Sequence, residues 1–167
     1  PSVIEATAAG LLQRDGDIVG VDGQSPLFFT QVPGDYHVAV RHRNHLGCMT
    51  LGTVAVGLTS TTVDLSLPST AMYGTNARKA VNSVRLLWSG NVRLDDVLRY
   101  TGQDNDRDPI LSAIGGSVPT STVSGYLSAD TNMDGNVRYT GSGNDRDPML
   151  GNIGGIVPTA VRSEQLP

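Results

Sequence analysis

The chain has 167 residues with a formal net charge of −4, and 38% of it is hydrophobic, 17% charged and 5% aromatic. That composition is globular, and the negative balance argues against a nucleic-acid partner. One cysteine, Cys48, excludes an internal disulfide framework, and no run of 18 apolar residues provides a membrane span.

Twenty glycines and nine prolines predict short strands and many turns. No signal peptide is visible, and a chain that starts at Pro1 without Met is expected to be a mature or cut piece of something longer. Residues 1–70 alternate with a period of two. Turns are expected at Asp15-Gly16, Asp22-Gly23 and Val32-Pro33-Gly34-Asp35. Leu27-Phe28-Phe29 reads as a short buried run. Tyr36, Val38 and Val40 are expected to face inward, and His37, Ala39 and Arg41 outward or toward a neighbour. Val54 and Val56, then Val63, Leu65 and Leu67, continue the strand pattern. Five or six such strands predict a small β-sandwich over 1–70, with a boundary at Pro68-Ser69-Thr70. Cys48 is expected to be a small core residue.

Residues 71–167 form a second expected module. Val81–Trp88 reads as one strand, and Trp88 as a core anchor between the two halves. Beyond it, Tyr100–Thr120 recurs as Tyr139–Thr159, an offset of 39 residues with 15 of 21 positions identical. A duplication this close means one small unit used twice, with repeat units at about 84–120 and 123–159. Asp108-Pro109 and Asp147-Pro148 read as helix starts, the aspartate capping and the proline suiting the first helical position. Ile110, Leu111 and Ile114 form an apolar stripe that Gly115-Gly116 terminates, and Met149, Leu150, Ile153 and Gly154-Gly155 repeat the design. Helices this short need packing or bound metal to persist.

The acids are unevenly placed: ten of sixteen follow residue 90, and nine of those ten are aspartate. Asp130, Asn132, Asp134, Gly135, Asn136 and Val137 match the first positions of an EF-hand-type loop. Oxygens at positions 1, 3 and 5 converge on a hard cation, Gly135 makes the sharp turn, Asn136 offers its carbonyl and Val137 anchors the loop. Gly141 stands where the loop's closing acid is usual, so Asp145, with Asp147 beside it, is expected to close the site. A weaker second site is expected at Asn91, Asp95, Asp106 and Asp108, where Arg93 occupies the third position and opposes a cation unless it swings away or pairs with an aspartate. Calcium suits a flexible oxygen loop better than magnesium. Asx-rich loops that satisfy their own backbone are the bland alternative.

Arg41-His42-Arg43-Asn44-His45, with His37, is expected to be a polar strand end, with His45 near a turn at Gly47, rather than a zinc or anion site. The alternate aspartate pairs 106/108 and 145/147 read as ligands and caps rather than as glycosidase acids. No nucleophile elbow, phosphate loop or dinucleotide fingerprint is present, so no enzyme is expected.

The 130–135 loop resembles the calcium loop of dockerin-like repeats. The duplicated 100–120 and 139–159 strings, ending in 162–167, together with 11–19 and 38–47, are similar to the C-terminal region of large secreted surface proteins of Bacteroidetes-type bacteria, often labelled haemagglutinin- or adhesin-like. Phe28–Val40 is similar to prealbumin-like β-sandwiches, which usually have an edge strand earlier than any seen here. The resemblance implies a mainly β protein: an incomplete prealbumin/Ig-like sandwich, then a dockerin-like calcium-binding tandem repeat with short helices. It implies secretion or a cell-surface location and a non-catalytic role. The leading expectation is a calcium-stabilised subunit that forms a homo-oligomer or filament by strand exchange. The others are a docking module for a receptor domain and an adhesin that binds glycan.

Overall fold

The computed structural model describes residues 3–167. The chain is mainly β, with small antiparallel sheets and two short helices. Its contacts divide it into two compact units that do not follow chain order. One holds the chain up to Val38 with Thr53–Val63 and Pro167; the other holds Ala39–Gly52 and Asp64–Leu166.

In the first unit, β1 (Leu11–Leu12) pairs antiparallel with β2 (Ile18–Val19). The connection is an Asx-type turn: Asp15 Oδ1 accepts the Asp17 N–H at 3.2 Å and Gly16 sits at φ 100°. A similar turn at Asp22 takes the N–H groups of Gln24 and Ser25. β3 (Gly34–Tyr36) pairs with β6 (Val54–Val56), whose burial alternates as expected. No described residue of this unit is buried. Ile4 is 82% exposed and Leu58 fully; in the expected buried run Phe28 is 80% exposed and Phe29 37%, and Leu27 is half-buried.

The second unit opens with the hairpin of β4 (Ala39–His42) and β5 (His45–Met49). Tyr36, Val38 and Val40 are half-buried and Ala39 and Arg41 exposed as expected, but His37 is half-buried too, so the alternation fails there; β3 stops at Tyr36 and Val40 pairs elsewhere. The turn falls at Arg43-Asn44, and Gly47 lies buried inside β5 rather than in a turn. Cys48 is fully buried, as expected of a core residue. The expected strand through Leu65 is absent, because Asp64 Oδ1 takes the Ser66 N–H at 2.8 Å and its hydroxyl at 2.7 Å and turns the backbone there. The expected single strand from Val81 to Trp88 is a tight hairpin instead, β7 (Lys79–Val81) against β8 (Val84–Leu86), turned by Asn82 at φ 52°.

The duplicated segments interlock. When each repeat is counted together with the strand that follows its helix, just past the units read from the sequence, repeat one contributes β9 (Val97–Arg99), helix α1 (Arg107–Ala113) and β10 (Thr122–Ser124); repeat two contributes β11 (Asn136–Arg138), α2 (Arg146–Asn152) and β12 (Val161–Ser163). β9 does not pair within its own repeat. It pairs with β12, while β11 pairs with β10, in the same register: Leu98↔Arg162 matches Val137↔Val123. The threonines repeat the exchange, Thr101 donating to the Pro158 carbonyl and Thr140 to that of Pro119, both at 2.9 Å. Each loop strand is therefore completed by the strand that follows the other repeat's helix. Leu98, Ile110 and Ile114, with Val137, Met149 and Ile153, fill one shared core together with Leu46, Val92 and Ala129.

Both helices end as expected, with Gly115-Gly116 and Gly154-Gly155 at positive φ. Their starts differ from the expectation. Asp108 and Asp147 lie inside the first turn, and the side chains that meet the free N–H groups belong to Asn105 and Asn144. Asn105 Oδ1 accepts from Asp108, and Asn144 Oδ1 from Arg146 and Asp147, at 3.0–3.1 Å.

Candidate functional site

The loop from Asp130 to Asn136 has the shape its sequence demands. Met133 and Gly135 take positive φ, 59° and 84°, which turns the backbone back across the loop. The Asp134 N–H then donates to both Asp130 Oδ1 (3.1 Å) and Asn132 Oδ1 (2.9 Å), so two of the proposed oxygens meet over one amide. Asp130 Oδ2 accepts from Gly135 at 3.1 Å. Asp134 Oδ1 accepts from Asn136, and its Oδ2 pairs with Arg138 Nη1 at 2.6 Å. The Asn136 amide turns outward, its Oδ1 accepting from Ser124 at 2.8 Å. Val137 is fully buried and anchors the loop as expected.

Asp145 does a different job in this geometry. Its fully buried carboxylate accepts N–H donors from both limbs of the loop: Thr131 at 2.7 Å and Asn132 at 3.3 Å through Oδ1, and Arg138 at 2.8 Å through Oδ2. Burial raises its pKa and those backbone donors oppose the rise, with nearby Asp130 adding to it. Asp147 stands two residues on, in the first turn of α2, held by Asn144 Nδ2 at 2.9 Å. The two buried carboxylates Asp130 and Asp145 thus lie near each other, and Arg43 Nη2, 3.6 Å from Asp130 Oδ2, is the cation that reaches Asp130.

The first loop repeats the clamp. Asp106 accepts from the N–H groups of Arg93 (3.0 Å) and Arg99 (2.8 Å), and burial pushes its pKa up to about 6. The Arg93 side chain swings to Asp104 at 3.0 Å, Arg99 pairs with Asp95 at 3.5 Å, and Asp108 meets Asn105. Asn91, at the position equivalent to Asp130, is only 3% exposed. Its amide N–H donates to the Asp95 carbonyl, and its Oδ1 is buried with no hydrogen-bond partner. Among the described residues no three His, Cys, Asp or Glu side chains gather around one point.

Sequence reasoning missed the support from the hairpin turn. Arg43 Nε donates to the Leu127 carbonyl and its guanidinium stacks 3.8 Å over Tyr126. The fully buried Asn44 donates to the carbonyls of Ser128 (3.0 Å) and Asp130 (2.5 Å). Nothing in the local sequence links residues 43–44 to 126–130. Asn44 Oδ1 faces His45 Nδ1 at 2.8 Å, and His45 Nδ1 in turn faces His42 Nδ1 at 2.8 Å. Burial first, then the neighbouring His42 and Arg43, depress His45 to about 3, and burial also lowers His42. Trp88 packs against the repeat core, its Nε1 on the Asn76 carbonyl and Arg162 3.5 Å over its ring.

Comparison with protein-family models, with curated proteins and with solved structures returned no significant match. No helix among the described residues is long and apolar enough to cross a membrane.

Two outcomes follow from the buried groups. Asp145→Ala strips the acceptor from three backbone N–H groups, and urea unfolding should show a loss of about 2–4 kcal/mol with calcium chelated as well as with calcium present. Loss confined to the calcium-loaded protein would contradict the clamp. His45 has a folded pKa below its unfolded one, so the stability it contributes is complete above about pH 6.5 and is lost as pH falls toward 3, at ~1.4 kcal/mol per unit. Asp106, raised to about 6, works the other way between pH 6 and 4. The difference between wild type and His45→Gln isolates the histidine: the wild-type advantage should shrink steadily on acidification, and a pH-independent difference would be inconsistent with a buried neutral ring.

Proposed function

We propose that the protein is a non-catalytic, extracellular structural subunit that self-assembles into a fibre or layer on the cell surface, with a repeat module stiffened by calcium. One observation carries the reading. The first unit exposes Ile4, Phe28, Val32 and Leu58, buries none of its described residues, and pairs each of its four strands with a single neighbour. An isolated two-stranded hairpin is marginal in water, and a small unit without a core does not offset its chain entropy. Free strand edges beside exposed apolar side chains are what a strand from a neighbouring subunit completes. In this reading β1–β2 and β3–β6 are parts of an incomplete prealbumin/Ig-like sandwich, and head-to-tail completion that does not close extends into a filament.

The dockerin-like part of the reading rests on the loops. Asp130, Asn132 and Asp134 share one turn, and two buried carboxylates approach each other with Arg43 alongside. A calcium ion there, drawing Asn136, Asp145 and Asp147 toward Asp130, Asn132 and Asp134, would add positive charge and stabilise only the folded form. In the first loop the partnerless Asn91 Oδ1 is a buried acceptor that suits the same ion, and Asp95, Asp106 and Asp108 are the carboxylates that the ion would have to draw together there.

A second reading, a module that docks to a separate receptor domain, has one observation in its favour. An open groove of about 520 Å³ lies between α1 and the start of repeat two, lined by Val92, Asp108, Ser112, Leu127 and Ala129 among others.

Sedimentation and electron microscopy of the purified chain, with calcium and with chelator, separate the readings. Assembly predicts large, concentration-dependent species and ordered fibres, with Val32→Glu reducing them while the repeat module stays folded. Asp134→Ala should weaken calcium binding by at least about tenfold by calorimetry. A monomer at every concentration, in both conditions, would count against self-assembly, and unchanged calcium affinity in Asp134→Ala would remove the loop as the site.

A further inference from the structure

The turn between β4 and β5 brings together three donor atoms that neither the repeat core nor the calcium reading uses. We propose that His42 and His45, with the Asn44 side-chain oxygen, form a second metal site of a different class, one that takes a borderline divalent ion such as zinc.

The argument begins with the hairpin. His42 and His45 are cross-strand partners that close a two-residue turn, so their side chains leave the same face a short distance apart. The ring centroids are 4.7 Å apart with planes at 75°, and the two Nδ1 atoms face each other at 2.8 Å. An ion about 2.0–2.1 Å from each nitrogen would subtend an angle of about 85–90° at that spacing, the angle of adjacent positions in octahedral or square geometry. Opening the pair by about 0.5 Å reaches the tetrahedral angle.

Asn44 supplies the third donor, and its orientation is fixed. Its Nδ2 is committed to the Ser128 and Asp130 carbonyls, so its Oδ1 must point at His45 Nδ1, 2.8 Å away. Three acceptor-capable atoms therefore share one ring proton. When an ion enters, that proton leaves Nδ1 and the same ring takes one up at Nε2, so the imidazole stays neutral and no net proton is lost. Two imidazoles with one amide oxygen favour zinc, nickel or copper over calcium or magnesium. Water completes the coordination on the solvent side, where His42 is half-buried.

The calorimetric titration uses zinc chloride on the whole chain in excess calcium. The wild type should take up one zinc per chain. His42→Gln and His45→Gln should each weaken uptake by more than about tenfold, while His37→Gln and Asp134→Ala retain it. Copper bound to the wild type should show two nitrogen couplings by electron paramagnetic resonance, and one in His42→Gln. If His45→Gln fails to fold by circular dichroism, His42→Gln decides alone. No zinc uptake by the wild type, or equal uptake by His42→Gln, overturns the site. Loss of uptake in Asp134→Ala would place the zinc in the calcium loop instead, and that too overturns it.

Discussion

Everything in the larger unit depends on an exchange of strands between two copies of one short sequence. β9 of the first repeat is completed by β12, and β11 of the second by β10, so each loop strand is completed by the strand that follows the other copy's helix. The exchange explains why helices of seven residues persist: each lays Ile110 and Ile114, or Met149 and Ile153, into a core that both repeats build. It also explains the two buried aspartates. Asp106 and Asp145 sit where strand, loop and helix meet, and each carboxylate collects the backbone N–H groups that the loop's sharp turn leaves unpaired. Burial makes those carboxylates costly, and several charge-assisted hydrogen bonds offset the cost. The repeat is thus closed upon itself, with the loop oxygens of Asp130, Asn132 and Asp134 turned onto the loop's own backbone amides.

The smaller unit has the opposite economy. Its turns are well made, at Asp15 and Asp22, yet they join strands two or three residues long with nothing buried behind them. Ile4, Phe28, Val32 and Leu58 would each gain on the order of 1.5–3 kcal/mol from full burial. Under the proposed function, that unfinished unit is the part of the subunit that assembly completes. The hairpin turn at residues 43–44 adds a further level, because Asn44 holds the backbone at Asp130 with one end of its amide and faces two histidines with the other.

Much of the repeat was legible in the sequence, because duplication is a signal in itself. The offset of 39 residues placed both helices, both glycine stops and the apolar stripe of each helix correctly. The Asp-x-Asn-x-Asp-Gly spacing located the loop whose oxygens meet over the Asp134 amide. What escaped were partnerships between distant segments. Periodicity could not say that β9 pairs with β12, since an exchanged register satisfies the same alternation as a local one. The caps were assigned to Asp108 and Asp147 because proline follows them, although Asn105 and Asn144, invariant between the two copies, carry the hydrogen bonds. Strand-like alternation at Tyr36, Val38 and Val40 hid a break between β3 and β4, which pair with different partners, and a local Asx turn overrode the apolar pattern near Leu65. The Leu27–Phe29 run is apolar enough to predict burial, but burial needs a partner surface that composition alone does not supply.

Native-state hydrogen exchange on the intact chain tests the reciprocal closure most directly. Because each repeat completes the other, the amides of Leu98 and Val137 should exchange through one shared opening with the same free energy, and both should outlast the amides of the β1–β2 hairpin. Exchange of one repeat through an opening that leaves the other protected would show two independent units, and the account of a single interlocked module would fail.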